Sequence, residues 1–179
     1  DWDRLAGDQV LMGRGWLRTI EQAYLGALSP TYLTLYENDR PVAATALRRI
    51  RPNGHARAFD AFLFGGLQPW VSRLGMSSLP VMAPLPLKGY ASPFIVRPDP
   101  DPARVRERRQ AILAAVHELG RAEKCALAFP KVVGDDPATM RLLQRNGYAR
   151  LLAAPLAYME IVWPSFRAYR QDRSRLSRN

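Results

Sequence analysis

Phe94-Ile95-Val96-Arg97-Pro98-Asp99-Pro100-Asp101-Pro102 is the stretch that decides the fold. Three apolar residues closed by a proline read as a short strand. Asp101-Pro102 then reads as a helix start, because the aspartate can accept first-turn amides and proline suits the first helical position. The helix is expected over residues 103–121, with Val105, Ile112, Val116 and Leu119 as its apolar face and arginines over the rest. A second apolar strand follows at residues 125–129, in which Cys125 alternates with Leu127 and Phe129. Asp135-Asp136-Pro137 starts a shorter helix, which ends in Leu142-Leu143-Gln144-Arg145-Asn146-Gly147-Tyr148. Asn146-Gly147 supplies a left-handed stop.

Working outward, a helical pattern begins at Gly15, with Trp16, Ile20, Ala23 and Tyr24 on one face, and Ser29-Pro30 ends it. Residues 32–36 alternate as a strand, Asn38-Asp39-Arg40 is a turn, and residues 41–50 form a longer strand. Asn53-Gly54 predicts another turn into a strand at 57–64, closed by Gly65-Gly66. Residues 68–75, with Trp70 and Leu74, suit a short helix. Residues 79–87 are apolar but proline-rich, so a strand there is expected to be interrupted or at an edge. Residues 151–162 complete the set as a last strand, and Trp163-Pro164-Ser165 opens a last helix. The fold class is therefore α/β in the broad sense (α+β), with a mixed, mainly antiparallel central sheet flanked by helices.

A length of 179 residues suits one domain with a real core, and 47% hydrophobic with 23% charged residues excludes wholesale disorder. The charge is less ordinary. Twenty-six Lys and Arg against 16 Asp and Glu leave +10, which favours a polyanionic partner or substrate, although solvated helix faces account for arginines equally well. One cysteine excludes an internal disulfide and a Cys-based zinc cluster, and two distant histidines argue against a His-rich metal site. No run of about 18 apolar residues occurs, and no basic-then-apolar leader opens the chain, so a cytoplasmic protein without a membrane span is expected. Starting at Asp1 and ending within a helical pattern, the sequence reads as a piece of a longer chain.

Antiparallel meander, then strand, helix, strand, helix, strand is an order that resembles the GNAT N-acyltransferases. Val96-Arg97-Pro98, followed by Leu142-Leu143-Gln144-Arg145-Asn146-Gly147-Tyr148, is its most specific part. The resemblance implies that the loop after Pro98 should hold the pyrophosphate of CoA on backbone amides and a helix N-terminus. Here that loop is Pro98-Asp99-Pro100-Asp101-Pro102, in which three prolines donate no N–H and two aspartates repel phosphate. Arg97, Arg104 and Arg106 are the residues near it that could meet a donor phosphate. The tyrosine acid of many such enzymes falls at Leu143, which cannot move a proton, and the asparagine opening that helix falls at Asp136.

Trp163-Pro164-Ser165-Phe166-Arg167-Ala168-Tyr169, with the arginines after it, resembles the junction of tandem-GNAT enzymes of the Fem-type and peptidoglycan-biosynthesis-like groups. That resemblance implies a GNAT-like domain over residues 1–162 and a basic connector helix over 163–179, leading to a second GNAT domain. It also implies a division of labour, in which this half shapes the acceptor cleft. The whole enzyme would pass an acyl or aminoacyl group from acyl-CoA or aminoacyl-tRNA to an amine acceptor.

Few side chains stand out as catalytic. Glu160, on the last strand beside Tyr158, is the carboxylate best placed for a base, with Asp60 and Glu21 competing. His55 follows a turn and is as readily a solvent-exposed hairpin residue, while His117 borders the apolar face of the basic helix. Cys125 reads as a buried strand thiol rather than a nucleophile. Tyr90, in Lys88-Gly89-Tyr90-Ala91-Ser92-Pro93, is a candidate for substrate contact. Arg167, Arg170 and Arg173 recur every third residue and form one basic stripe, suited to tRNA or to a solvated connector. Two other readings stand beside the half-domain: an autonomous acetyl-CoA-dependent N-acetyltransferase, and a non-catalytic basic module for RNA or another anion. No metal is expected, and no cofactor beyond the donor.

Overall fold

The structure, a computed structural model, describes residues 1–23, 30–50, 66, 68–74, 80–85, 92–129, 132, 136–150, 164–165, 167–168 and 170. Two short N-terminal helices, α1 (Trp2–Ala6) and α2 (Arg14–Ala23), flank a 3-10 turn at Val10–Met12. Strands β1 (Pro30–Glu37) and β2 (Arg40–Ile50) follow as an antiparallel hairpin. Its two-residue turn places Asn38 and Asp39 at φ 48° and 59°, the left-handed region that this hairpin turn requires and that Asn and Asp tolerate.

After a short helix α3 (Gln68–Arg73) come β3 (Val81–Pro84) and β4 (Ile95–Val96). Both pair antiparallel with the same side of β2. Val81 to Pro84 lie opposite Ile50 to Leu47, while Ile95 and Val96 lie opposite Ala44 and Ala43. The two strands therefore share one edge of β2, end to end. Only Thr45 and Ala46 face the interval. Ala46 accepts the Leu85 amide at 2.8 Å, and the buried Thr45 hydroxyl donates to the Pro93 carbonyl at 2.7 Å.

The long helix α4 (Pro102–Ala122) then leads to β5 (Ala126–Leu127), which pairs parallel with β3. Helix α5 (Pro137–Arg145) closes the described core. Among the described residues the architecture is α+β, a mixed and mainly antiparallel five-stranded sheet with helices on both faces. No helix among them is long and apolar enough to cross a membrane.

The strand period of two assigns the faces. Ala44, Ala46, Leu85 and Ile95 meet Leu5, Met12, Leu17 and Ile20 of the N-terminal layer. Ala43, Leu47, Met82 and Phe94 meet Ile112, Leu113, Val116 and Leu143 of α4 and α5. The expected alternation of Cys125, Leu127 and Phe129 holds, since all three pack on the α4 side. Gly120 lets the helix approach closely there, because a Cβ would lie 2.8 Å from a Leu127 methyl and the leucine would have to shift.

Three expectations need correction. In α2 the buried residues are Leu17 and Ile20, whereas Trp16 and Ala23 are exposed, so the buried face is turned one residue from the expected one. Residues 81–84 are not at an edge but lie between β2 and β5, fully buried. Prolines 80 and 84 shorten this inner strand instead of displacing it, and the Pro80 carbonyl still accepts the Ala126 amide. In α4 the buried stripe is wider than expected, taking in Leu113, Gly120 and Arg108, while Val105 and Leu119 are half-buried. The expected strands at 57–64 and 151–162 lie outside the described residues.

Replacing Thr45 by the isosteric valine leaves the Pro93 carbonyl without its donor inside the core. Denaturant unfolding of Thr45→Val should show a loss of about 1–3 kcal/mol at an unchanged slope.

Candidate functional site

The β4–α4 turn folds on its own carboxylates. Asp101 caps α4 by accepting the Ala103 amide at 2.8 Å, and Asp99 accepts the Asp101 amide at 3.0 Å. Proline occupies three of the five positions here, and the amides of Asp101 and Ala103 are bonded to side chains of the same turn. Asp99 also meets Arg108, with 2.9 Å between Oδ2 and Nη2.

Arg108 is the least expected residue of the site. It is 5% exposed and forms a fork on Glu37 at the end of β1, with Nε 3.0 Å from Oε1 and Nη2 2.8 Å from Oε2. Its Nη1 donates to the Arg97 carbonyl at 3.4 Å. A buried guanidinium is tolerable only when its donors are satisfied by charge and carbonyl, as they are here. The hydrogen bonds from Arg108 hold the Glu37 carboxyl below its usual range. The Asp101 amide, then Arg108, lower Asp99. The sequence did carry a signal for Arg108: it precedes Ile112 and Val116 at four-residue steps, on the buried stripe.

The candidate donor-phosphate arginines are not gathered at this turn. Arg97 is half-buried with its amide on the Val42 carbonyl, and Arg104 is exposed near Glu37 and Asp99. Arg106, two residues on, points to another side and lines a groove against α5. That groove holds about 330 Å³. Arg106 and Arg109 rise on one wall, Arg141 and Arg145 on the other, and Ala138 and Leu142 lie between them. A reciprocal amide pair, Gln110 with Asn146 at 3.1 and 3.2 Å, ties the two helices together.

Asp136 anchors the other end of α5. It accepts the Thr139 amide at 3.0 Å and the Ser92 hydroxyl at 2.8 Å, and Arg109 approaches at 3.5 Å. Burial opposes its ionisation, but these partners outweigh it and keep the carboxyl below its usual range. Asp136 is thus a cap and a brace. Leu143, at the position where a tyrosine acid was sought, is buried in the core. Gly147, at φ 84°, ends α5 as expected, and the Tyr148 amide reaches the Leu143 carbonyl.

A second cleft of about 350 Å³ lies between the C-terminal end of α4 and Tyr148, lined by His117, Arg121, Cys125 and Asn146 among others. His117 Nε2 lies 2.8 Å from the Tyr148 hydroxyl, and the two rings stack. Burial pushes the Tyr148 phenol up to about 12, so it stays protonated at neutral pH. Burial likewise raises the Cys125 thiol, although Cys125 is half-buried and lies just before β5 rather than within the strand expected from residue 125. Neither His117 nor Tyr148 was expected to find the other, since 31 residues separate them.

Arg167 and Arg170 are exposed, and the Ser165 hydroxyl accepts the Ala168 amide at 3.2 Å, the cap of the expected last helix. Glu160, His55, Asp60, Tyr90 and Arg173 lie outside the described residues. Glu21 is described, and its carboxylate takes the Tyr32 hydroxyl as a hydrogen-bond donor rather than standing free as a base. Among the described residues no cluster of His, Cys, Asp and Glu could hold a metal ion.

The Arg108 cluster gives a signed pH dependence. Carboxyls whose folded pKa is lowered contribute stability that is complete above the unfolded value of about 4 and lost as pH falls through the folded value. The urea midpoint of the native chain should therefore drop between neutral pH and about pH 3. In Arg108→Gln the midpoint starts lower and drops less, because Glu37 and Asp99 then titrate closer to their unfolded values; an equal drop in both proteins would remove the assignment.

Comparison with known protein families, with curated proteins and with solved structures gives no match.

Proposed function

We propose that this chain is the GNAT-like half of an N-acyltransferase that shapes the acceptor side of the enzyme and does not itself hold the donor. The observation that carries this reading is the β4–α4 turn, where three prolines lack an N–H and Asp99 and Asp101 take the Asp101 and Ala103 amides. A diphosphate there would meet two carboxylates and almost no free N–H. The succession β4, α4, β5, α5 supports the GNAT likeness, and the core position of Leu143 agrees with the loss of an acid from this half.

The reaction of the whole enzyme would be attack of an amine on an acyl-CoA thioester or an aminoacyl-tRNA ester. A C–N bond forms, the C–S or C–O bond breaks, and the amine proton leaves to a base. The tetrahedral oxyanion needs N–H donors in place before it forms. The β4–α4 turn has few amides and two of them are taken, so the reading requires a second strand–helix–strand unit in the same polypeptide to carry the donor. The candidate base Glu160 and the candidate contact Tyr90 belong to the acceptor side of this scheme.

Titration calorimetry of this chain with acetyl-CoA and with CoA should give no binding heat even at millimolar ligand, and neither ligand should raise the melting temperature. Micromolar binding would overturn the reading in favour of an autonomous acetyl-CoA-dependent acetyltransferase.

A further inference from the structure

Ion pairs hold only some of the described arginines. Arg108 has Glu37 and Asp99, and Arg49 has Glu123 at 2.7 Å. Exposed ones such as Arg4, Arg18 and Arg40 stand singly without an ion pair among the described residues; what sets the α4–α5 groove apart is that four arginines converge there. Arg106, Arg141 and Arg145 are exposed and have no carboxylate partner among the described residues. Arg109 reaches Asp136 only at 3.5 Å, and its Nε is buried without a partner. Glu107 is the single acidic residue in the lining, so the groove carries a clear positive excess.

This placement is electrostatically costly for the chain alone. Arg104, Arg106, Arg108 and Arg109 crowd the N-terminal half of α4, where the helix dipole favours anions, and the first turn of that helix holds no acid. On one wall Arg106 and Arg109 are three residues apart; on the other Arg141 and Arg145 are four apart. Those steps correspond to about 4.5 and 6 Å along the helix axes. Two rows of forked donors, one on each of two adjacent helices, match a chain of phosphates running along the groove.

We infer that the α4–α5 groove binds the phosphodiester backbone of single-stranded nucleic acid through Arg106, Arg109, Arg141 and Arg145. A membrane surface fits less well. Among the described residues the large apolar ones found exposed are Val10, Trp16, Tyr32, Tyr36, Trp70 and Leu74, and none of these borders the groove. A duplex fits less well too, since a concave strip between two helices admits a strand rather than a rod. The groove and the β4–α4 turn are separate surfaces, so this inference and the acyltransferase reading can fail independently.

The test is fluorescence anisotropy of a labelled oligouridine with this chain across a salt series. Four phosphate contacts predict a slope of log affinity on log salt of about −3. Arg106→Gln, Arg141→Gln and Arg145→Gln together should weaken binding about tenfold and flatten the slope by about 2. A second triple variant with the same net charge, Arg4→Gln, Arg18→Gln and Arg40→Gln, should bind like the native chain. Melting curves check that both variants fold, as expected for exposed positions. The inference is overturned if the native chain does not bind the oligonucleotide at low salt, or if both triples lose affinity equally. It is overturned too if the groove arginines serve only phosphatidylserine vesicles.

Discussion

Strand β2 must be buried on both faces, and most of the architecture follows from that constraint. Its residues from Pro41 to Leu47 are buried, and the three alanines 43, 44 and 46 are wholly inaccessible. Small side chains on both faces let the α1–α2 layer approach from one side and α4 from the other. Its two edges are equally committed, β1 on one and the β3–β4 pair on the other. Thr45 is the one polar side chain in this run, and its hydroxyl satisfies a backbone carbonyl where the shared edge is interrupted.

Burying β2 also explains the carboxylate cluster. The end of the β1–β2 hairpin brings Glu37 beneath α4, and β4 delivers Asp99 to the same place. Arg108 projects from the buried stripe of α4 into the gap and neutralises both. Asp99, which helps close the β4–α4 turn, is thereby paired with a cation of the chain itself. Positive charge is left over elsewhere, and four arginines converge along the α4–α5 groove. A loop closed to anions and a groove open to them are thus two results of one distribution of Asp and Arg around a single helix.

Much of this was legible in the residues. Asp101-Pro102 and Asp136-Pro137 are caps as read, the Asn-Asp turn is the hairpin, and Gly147 stops α5. These signals are local, set by backbone geometry and by hydrogen bonds within a few residues. The exposed faces were harder. Trp16 satisfies the helical period as well as Leu17 does, and only the position of the sheet selects between them. Residues 81–84 looked like edge strand because of their prolines, yet a strand of four residues can lie inside a sheet when the prolines fall at its limits. For the site, the poverty of the loop in free amides was visible in its prolines and aspartates. The separation of Arg104 from Arg106 follows from the helical period, but which of them faces α5 required the actual rotation of α4.

By itself, then, the sequence determined the order of the described elements from α2 onward, the caps of α4 and α5, the hairpin turn, the α+β class and the poverty of the β4–α4 loop in amides. All of these depend on neighbours within about one helical turn or one hairpin. The short helix at Trp2–Ala6 was not foreseen. Tertiary structure alone decided that β3 and β4 share one edge of β2, and that His117 meets Tyr148 across 31 residues. It also decided which arginine is buried and which remain unpaired. Pairing over long separations depends on where the chain returns in space, and burial of a charge depends on which carboxylates arrive beside it. Neither quantity is carried by any short stretch of residues.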